Sequence, residues 1–466
     1  MMPSPPALQT DLPADAPRSI TSWMVLLAPA LPALAIALVW WPSLPASFQF
    51  DDWNVIVNNA RVHSLAAWWH SMPGIRPLLK LTYALDASLA LEPLGFRLVN
   101  VSIHAINATL VWWLLRGRGL RAGLPAVDAH RAALLAALVF ALHPVQTEAV
   151  TYISGRSSSL AACFCLLSLC CWVRCRLTLC GVTFLAAVAS KETALILPLA
   201  LALYSSDQPL RTTWKRLAPL IALALIAVIV ALSLPTYRYL LGVSLDTRTV
   251  GENLLTQSHA LWYLAGQLIR VFNGNADPQL PVVTGLDLIS GTLCLLWASV
   301  LAAALLNIGK RPIGAFSVLW FLIWLAPTNS LLPRLDVAND RQLYLALIGP
   351  AWWLSVRLSA LYGSRPALAT IVSILILAAI FVATSQRNRV YDSEVTFWQD
   401  TAARNPTSAR AANNLGMAYA GECRSDDAAS EFRRSMQLDP DDFRASINLM
   451  LLRKGELPGA EPSACP

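Results

Sequence analysis

Apolar runs broken by short polar stretches repeat along nearly the whole chain. The runs fall at about 22–42, 96–115, 131–143, 158–174, 177–190, 192–204, 217–234, 286–306, 312–326, 341–360 and 366–384. Each is close to the ~20 residues a helix needs to cross a bilayer, although several are shorter. A backbone in hydrocarbon must satisfy its own hydrogen bonds, so runs of this kind are helices. The pattern predicts an all-α, polytopic membrane protein with about eleven transmembrane helices spread over 22–384.

Charge orients the spans. Arg116, Arg118, Arg121 and Arg131 flank one connection; Arg174 with Arg176, Arg211 with Lys215 and Arg216, and Lys310 with Arg311 flank three more. Placing all four on the cytoplasmic side puts residues 1–21 inside and the C-terminus outside. That parity requires the apolar stretch 256–272, within an outer loop at 235–285, to be re-entrant or interfacial rather than crossing. Irregular backbone at that depth must line a cavity. Residues 43–95 form a long first outer loop whose amphipathic stretches, with Trp68 and Trp69, suit the headgroup level.

Composition adds three points. Hydrophobic residues make up 56% of the 466 and charged residues 14%, which excludes an ordinary soluble domain. The net charge of +7 is explained by cytoplasmic loops and calls for no nucleic acid. Six of the nine cysteines, from Cys163 to Cys180, crowd one apolar stretch without a histidine or carboxylate at ligand spacing, so they read as small hydrophobes and no metal site is expected. The proline-rich, acid-bearing start lacks a basic n-region, so Met24 to Trp41 is expected to be a retained helix rather than a cleaved leader.

The last segment, 385–466, has a different grammar. Asn405-Pro406 and Asp439-Pro440 stand 34 residues apart, with Leu415, Gly416, Tyr419, Ala428 and Phe432 between them at tetratricopeptide positions. One repeat cannot bury its own face, so the tail must pack on the membrane domain or on a partner.

Polar groups in so apolar a chain are informative. Asp51 and Asp52, in FQFDDWNVIVNN directly after the first span, read either as a helix N-cap or as a general base whose paired charge and partial desolvation raise one carboxyl toward working pH. The outer turn HPVQTEAVTYISGR gathers His143, Glu148 and Arg156. Lys191, between Ser190 and Glu192, can meet a phosphate as a point charge or pair with its neighbour. In LPRLDVANDRQLYLAL, Arg334, Asp336, Asp340, Arg341 and Tyr344 open a span, and Arg341 beside Tyr344 can hold a phosphate or snorkel to the interface. Arg76 in the first loop joins this outer set, and Asp277 has no assigned role. Acids and cations on one face of a cavity suit sugar transfer from a lipid phosphate, the cations steadying the leaving group and a carboxylate accepting the acceptor's proton. Acids alone can also hold a divalent ion through oxygen, but no closed ligand set is visible.

The same residues resemble a known family. FDDWNVIVNNARVHSL, RPLLKLTYALDASLALEPLGFRLVNVSIHAINATLVWWLL, HPVQTEAVTYISGRSSSLAA, SKETALILPLALALY, DRQLYLAL and the trailing repeat are similar to the transmembrane and tetratricopeptide repeat-containing (TMTC) glycosyltransferases and their bacterial relatives in the GT-C superfamily. The resemblance implies a polyprenyl-phosphate sugar as donor, a protein acceptor on the lumenal or periplasmic side, and a catalytic acidic pair matched here by Asp51 and Asp52. By this reading Lys191, Arg341 and Arg156 hold the donor phosphate, and the chain is an inverting transferase of a bacterial inner membrane with a periplasmic acceptor such as a type IV pilin. Family members with long repeat arrays are thought to present acceptor protein through them; one repeat suits a single dedicated acceptor. Two rival readings remain: transfer to lipid A or O-antigen, and a non-catalytic scaffold that recruits partners through its repeat.

Overall fold

The computed structural model describes residues 28, 30–90 and 92–457. The expected cytoplasmic segment 1–21 and the start of the first span lie outside the described residues. The fold is all-helical, 77% helix, with no strand among the described residues. Each expected apolar segment falls on a helix, in whole or in part. Five helices are long and apolar enough to cross a membrane: Pro93–Arg121, Ile153–Val173, Leu210–Ser233, Leu288–Leu306 and Pro366–Val390. Two more candidates are bent pairs, Ala126–Leu142 with Pro144–Val150 at 54° and Asp340–Ala346 with Ile348–Ser364 at 53°. Four shorter apolar helices, Ala30–Ser43, Leu177–Ser190, Glu192–Tyr204 and Pro312–Leu325, complete the set.

Packing sorts these helices into a centre and a rim. Ala126–Leu142 buries six alanines completely (Ala129, Ala132, Ala133, Ala136, Ala137 and Ala141), and small side chains let neighbouring backbones approach closely. It packs on Pro93–Arg121 and Ile348–Ser364. The Ile153–Val173 window is 78% buried, whereas Leu210–Ser233 and Leu288–Leu306 are each 11% buried and turn their leucines outward. Polar side chains at the centre are paired: the Tyr344 hydroxyl lies 2.7 Å from His104 Nδ1 and accepts from Asn107 Nδ2 at 3.0 Å.

Two expectations change here. The stretch expected to be re-entrant is the helix Val250–Gln267, which starts earlier than the apolar pattern suggests because Thr249 and Glu252 form a capping box. It follows a second helix, Pro235–Thr247, that the periodicity did not reveal. Its buried face is polar: Asn253 Nδ2 donates to the Ser330 carbonyl at 2.7 Å, and Gln257 Oε1 accepts from Asn329 at 2.8 Å. The tail boundary also moves, because Pro366–Val390 continues past residue 385 and buries Arg387 and Asn388.

The tail contains Glu394–Arg404, Ala409–Gly421, Ser425–Leu438 and Arg444–Lys454. Gly416 is required where the middle two meet, because a Cβ there would stand 2.7 Å from the Phe432 ring. The first two tail helices lie against the loops that carry Asp277 and Asp336, through Asn405 Nδ2 to the Asp277 carbonyl at 2.6 Å and through Arg410, which ion-pairs with both aspartates.

Candidate active site

The turn after the first span is pinned at successive positions. Gln49 N donates to Asp52 Oδ2 at 3.1 Å, and Asp51 N donates to the Tyr152 hydroxyl at 2.9 Å. Phe50 between them has φ 46°, a left-handed conformation costly for a residue with a side chain and often found beside functional groups. The two acids have different surroundings. Asp52 is fully buried, with Oδ1 accepting from Ser154 N at 2.8 Å and Ser154 Oγ at 2.5 Å. Burial pushes its carboxyl up to about 6, against the opposing pull of those hydrogen bonds and of Arg97. Asp51 instead lines a cavity with Glu148, Tyr152, Asp277, Asp336, Arg341 and Arg410. The expected pair therefore divides, one acid facing inward and one facing the cavity.

Arg341 joins this cavity to a second one. Its Nε lies 3.3 Å from Glu148 Oε1, and its backbone N–H donates to Glu148 Oε2 at 3.0 Å. The second cavity is lined by Arg341, Lys191, Ser158, Thr193, Thr328, Gln342 and Tyr344 over an apolar floor of Ala161, Ala162, Cys165, Trp324 and Leu345. Lys191 Nζ donates to Ser158 Oγ at 2.7 Å. Asn339 and Gln342 line the two cavities, and the side-chain polar atoms of both are buried without a hydrogen-bond partner among the described residues. Buried polar atoms of that kind call for an explanation, and a polar ligand supplies one.

Further cations stand close by. Arg76, itself at φ 48°, holds Glu192 through Nε at 3.0 Å and Nη2 at 2.9 Å, and Tyr237 donates to the same carboxylate at 3.0 Å. Burial pushes the Arg334 guanidinium down to about 10, with Arg341 and Arg76 pushing the same way. Asp336 and Glu148 offset part of that effect.

Two expected site residues are engaged away from both cavities, and a third lines one of them with its hydroxyl turned inward. Arg156 is not on either cavity wall: its guanidinium is fully buried, donates to Asn100 Oδ1 and Asp86 Oδ2 at 2.6 Å each and to the Phe96 carbonyl at 2.9 Å, and stacks 4.7 Å from the Tyr83 ring. Those partners leave it nothing to offer a phosphate. His143 is buried against the Leu268 carbonyl, and its ring nitrogen accepts from Val145 N at 3.4 Å. Tyr344 borders the second cavity, but its hydroxyl is engaged inward by His104 and Asn107.

Sequence reasoning missed Tyr152, Phe397, Trp398 and Arg410 on the Asp51 cavity. Among the described residues no group of three histidines, cysteines or carboxylates could hold a metal ion.

The chain is 34% identical to human protein O-mannosyl-transferase TMTC4 over 34% of its own length and 24% of that protein, and 31% identical to mouse TMTC3 over 28% of its length and 15% of that protein. A Caenorhabditis elegans protein O-mannosyl-transferase aligns over 85% of this chain and 60% of its own length at 24% identity. This chain resembles the TMTC O-mannosyl-transferases. Its matches span between about a seventh and three fifths of the length of these TMTC relatives. No family profile matches the chain, and no solved structure matches it.

Proposed function

We propose that the chain is a GT-C type glycosyltransferase that moves a sugar from a polyprenyl phosphate to a serine or threonine hydroxyl of a protein on the non-cytoplasmic face. The observation that carries this reading is Arg341, which lines both the cavity of Asp51 and the cavity of Lys191. The relatives' names supply the reaction class.

Chemically, the Asp51 carboxylate takes the proton of the acceptor hydroxyl as its oxygen attacks the anomeric carbon. The bond from that carbon to the phosphate oxygen breaks, and the polyprenyl phosphate leaves with its charge held by Lys191 and Arg341. One displacement inverts the anomeric centre. Ser158, Thr193 and Thr328 line the same cavity and supply polar groups to it, and its apolar floor suits the first isoprene units. A bacterial inner membrane, and a periplasmic acceptor such as a type IV pilin presented through the tail, complete the proposal.

The test is intact mass spectrometry of the major pilin and periplasmic proteins from wild type, a deletion, and the deletion complemented with Asp51→Asn at matched membrane levels. The reading expects one protein to lose a sugar-sized mass in the deletion and to stay unmodified with Asp51→Asn. Full restoration by Asp51→Asn removes Asp51 as the base. Loss of label from lipopolysaccharide instead of protein moves the acceptor to lipid.

A further inference from the structure

The residues that fix the Asp51 turn come from two distant parts of the chain. Tyr152 holds Asp51 N from within the membrane domain. The other supports lie just beyond the last apolar helix. Gln49 Nε2 donates to the Tyr391 carbonyl, and the Phe50 ring packs edge-on to Trp398 at 5.2 Å. Glu394, at the start of Glu394–Arg404, does more than either: its Oε1 accepts from Phe50 N at 2.9 Å and from the Trp53 indole at 3.0 Å. One oxygen thus ties the residue before the acidic pair to the residue after it. The first of these bonds falls on the left-handed Phe50, whose conformation relaxes unless something over-determines it. Ser393 fixes Glu394 in turn by capping the helix, its Oγ accepting from Thr396 N at 3.1 Å.

We infer that Glu394 is a positioning residue: it aims Asp51 into the cavity by clamping Phe50 and Trp53, and it touches no substrate. The inference rests on the proposed transferase reading for its kinetic consequence, but the placement it asserts can be measured without any reaction. Because both bonds end on Oε1, Glu394→Gln keeps an acceptor there while removing the charge, and Glu394→Ala removes the acceptor. The pair of variants separates a hydrogen-bond role from a field effect on Asp51.

The experiment uses the full chain in detergent, modified with a water-soluble carbodiimide and glycine ethyl ester, with labelling at Asp51 followed by peptide mass spectrometry and normalised to the exposed Asp246. Release of the turn is expected to change the Asp51 labelling rate by about threefold or more in Glu394→Ala, as local opening changes access. Glu394→Gln should label like wild type. Should Glu394→Ala fail to accumulate, Trp53→Phe removes one of the two donors and is expected to change the rate as well. An unchanged rate in Glu394→Ala, or in Trp53→Phe where that variant stands in for it, overturns the inference, and so does the same change in Glu394→Gln as in Glu394→Ala. In reconstituted vesicles supplied with the acceptor protein that mass spectrometry identifies and a synthetic polyprenyl phosphate bearing the sugar whose mass it loses, Glu394→Ala should lower kcat about tenfold to a hundredfold with the donor KM unchanged, as a misplaced catalytic group does. If wild type transfers nothing while the labelling contrast holds, the transferase reading fails and the positioning role stands.

Discussion

Arg156 offers the sharpest test of how charge is used in this chain, because its place in a short polar turn suggests ligand binding and its surroundings argue for structure. Replacing it with methionine leaves Asp86, 2.6 Å away and buried, without a counter-ion. Breaking a buried pair by removing one partner costs about 3–5 kcal/mol. Loss of the stack on Tyr83 adds up to about 2 kcal/mol, and the methionine's own burial offsets part of the total, leaving about 4 kcal/mol. With an unfolding entropy of ~2.1 cal/mol/K per residue, about 1 kcal/mol corresponds to ~1 °C in a chain of 466 residues. Arg156→Met should therefore lower the thermal midpoint of the detergent-purified protein by about 4 °C. Adding Asp86→Leu should recover most of that loss, since an apolar pair can replace a buried ionic one. The assay pairs that midpoint with the donor KM of the folded fraction. A midpoint unchanged in Arg156→Met, together with a raised donor KM, would refute the structural assignment and return Arg156 to the phosphate.

Other consequences are equally direct. Asp52 has its folded pKa raised to about 6 from 3.8, so the stability it contributes is fully present below about pH 4 and is lost as pH rises through about 6, by about 3 kcal/mol in all. Ser154→Ala removes a bond to the ionised form and should depress the unfolding midpoint more at about pH 8 than at about pH 5; equal effects at both would contradict the burial argument. Lys191→Met should raise the donor KM about tenfold, while acceptor KM, measured at saturating donor, stays put. Gly155→Ala places a Cβ 2.0 Å from the Glu148 carbonyl oxygen, and the variant should fail to accumulate in membranes, as an immunoblot would show.

The helices were readable because lipid imposes a simple rule on the sequence, namely that long runs stay apolar. Asp51 and Asp52 stood out as candidates for a related reason, as an acid abutting such a run is costly. The division of labour between them was hidden, because adjacent residues share every local signal and only Ser154, far along the chain, breaks the tie. Arg156 misled for the same cause: its partner Asp86 sits 70 residues earlier, and nothing local announces it. The tail residues Trp398 and Arg410 were invisible as site residues, since their own segment reads as helix-repeat packing and the cavity they complete is built mostly from loops distant in the chain. The starting point of Val250–Gln267 was missed because its capping box outweighs the apolar pattern, whose centre lies later.

The two outward-facing helices, Leu210–Ser233 and Leu288–Leu306, have hydrocarbon rather than protein along most of their circumference. With few protein contacts to hold them, their tilt is open to hydrophobic mismatch, at a cost of a fraction of a kcal/mol per Å of thickness difference. Each is tied to the cavities at one end. Leu210–Ser233 runs into Pro235–Thr247, whose Tyr237 holds Glu192, and Leu288–Leu306 follows the loop that carries Asp277. A change in bilayer thickness that tilts either helix is therefore expected to pull on residues beside the two cavities, which makes the surrounding phospholipid a variable to control in any assay of this protein.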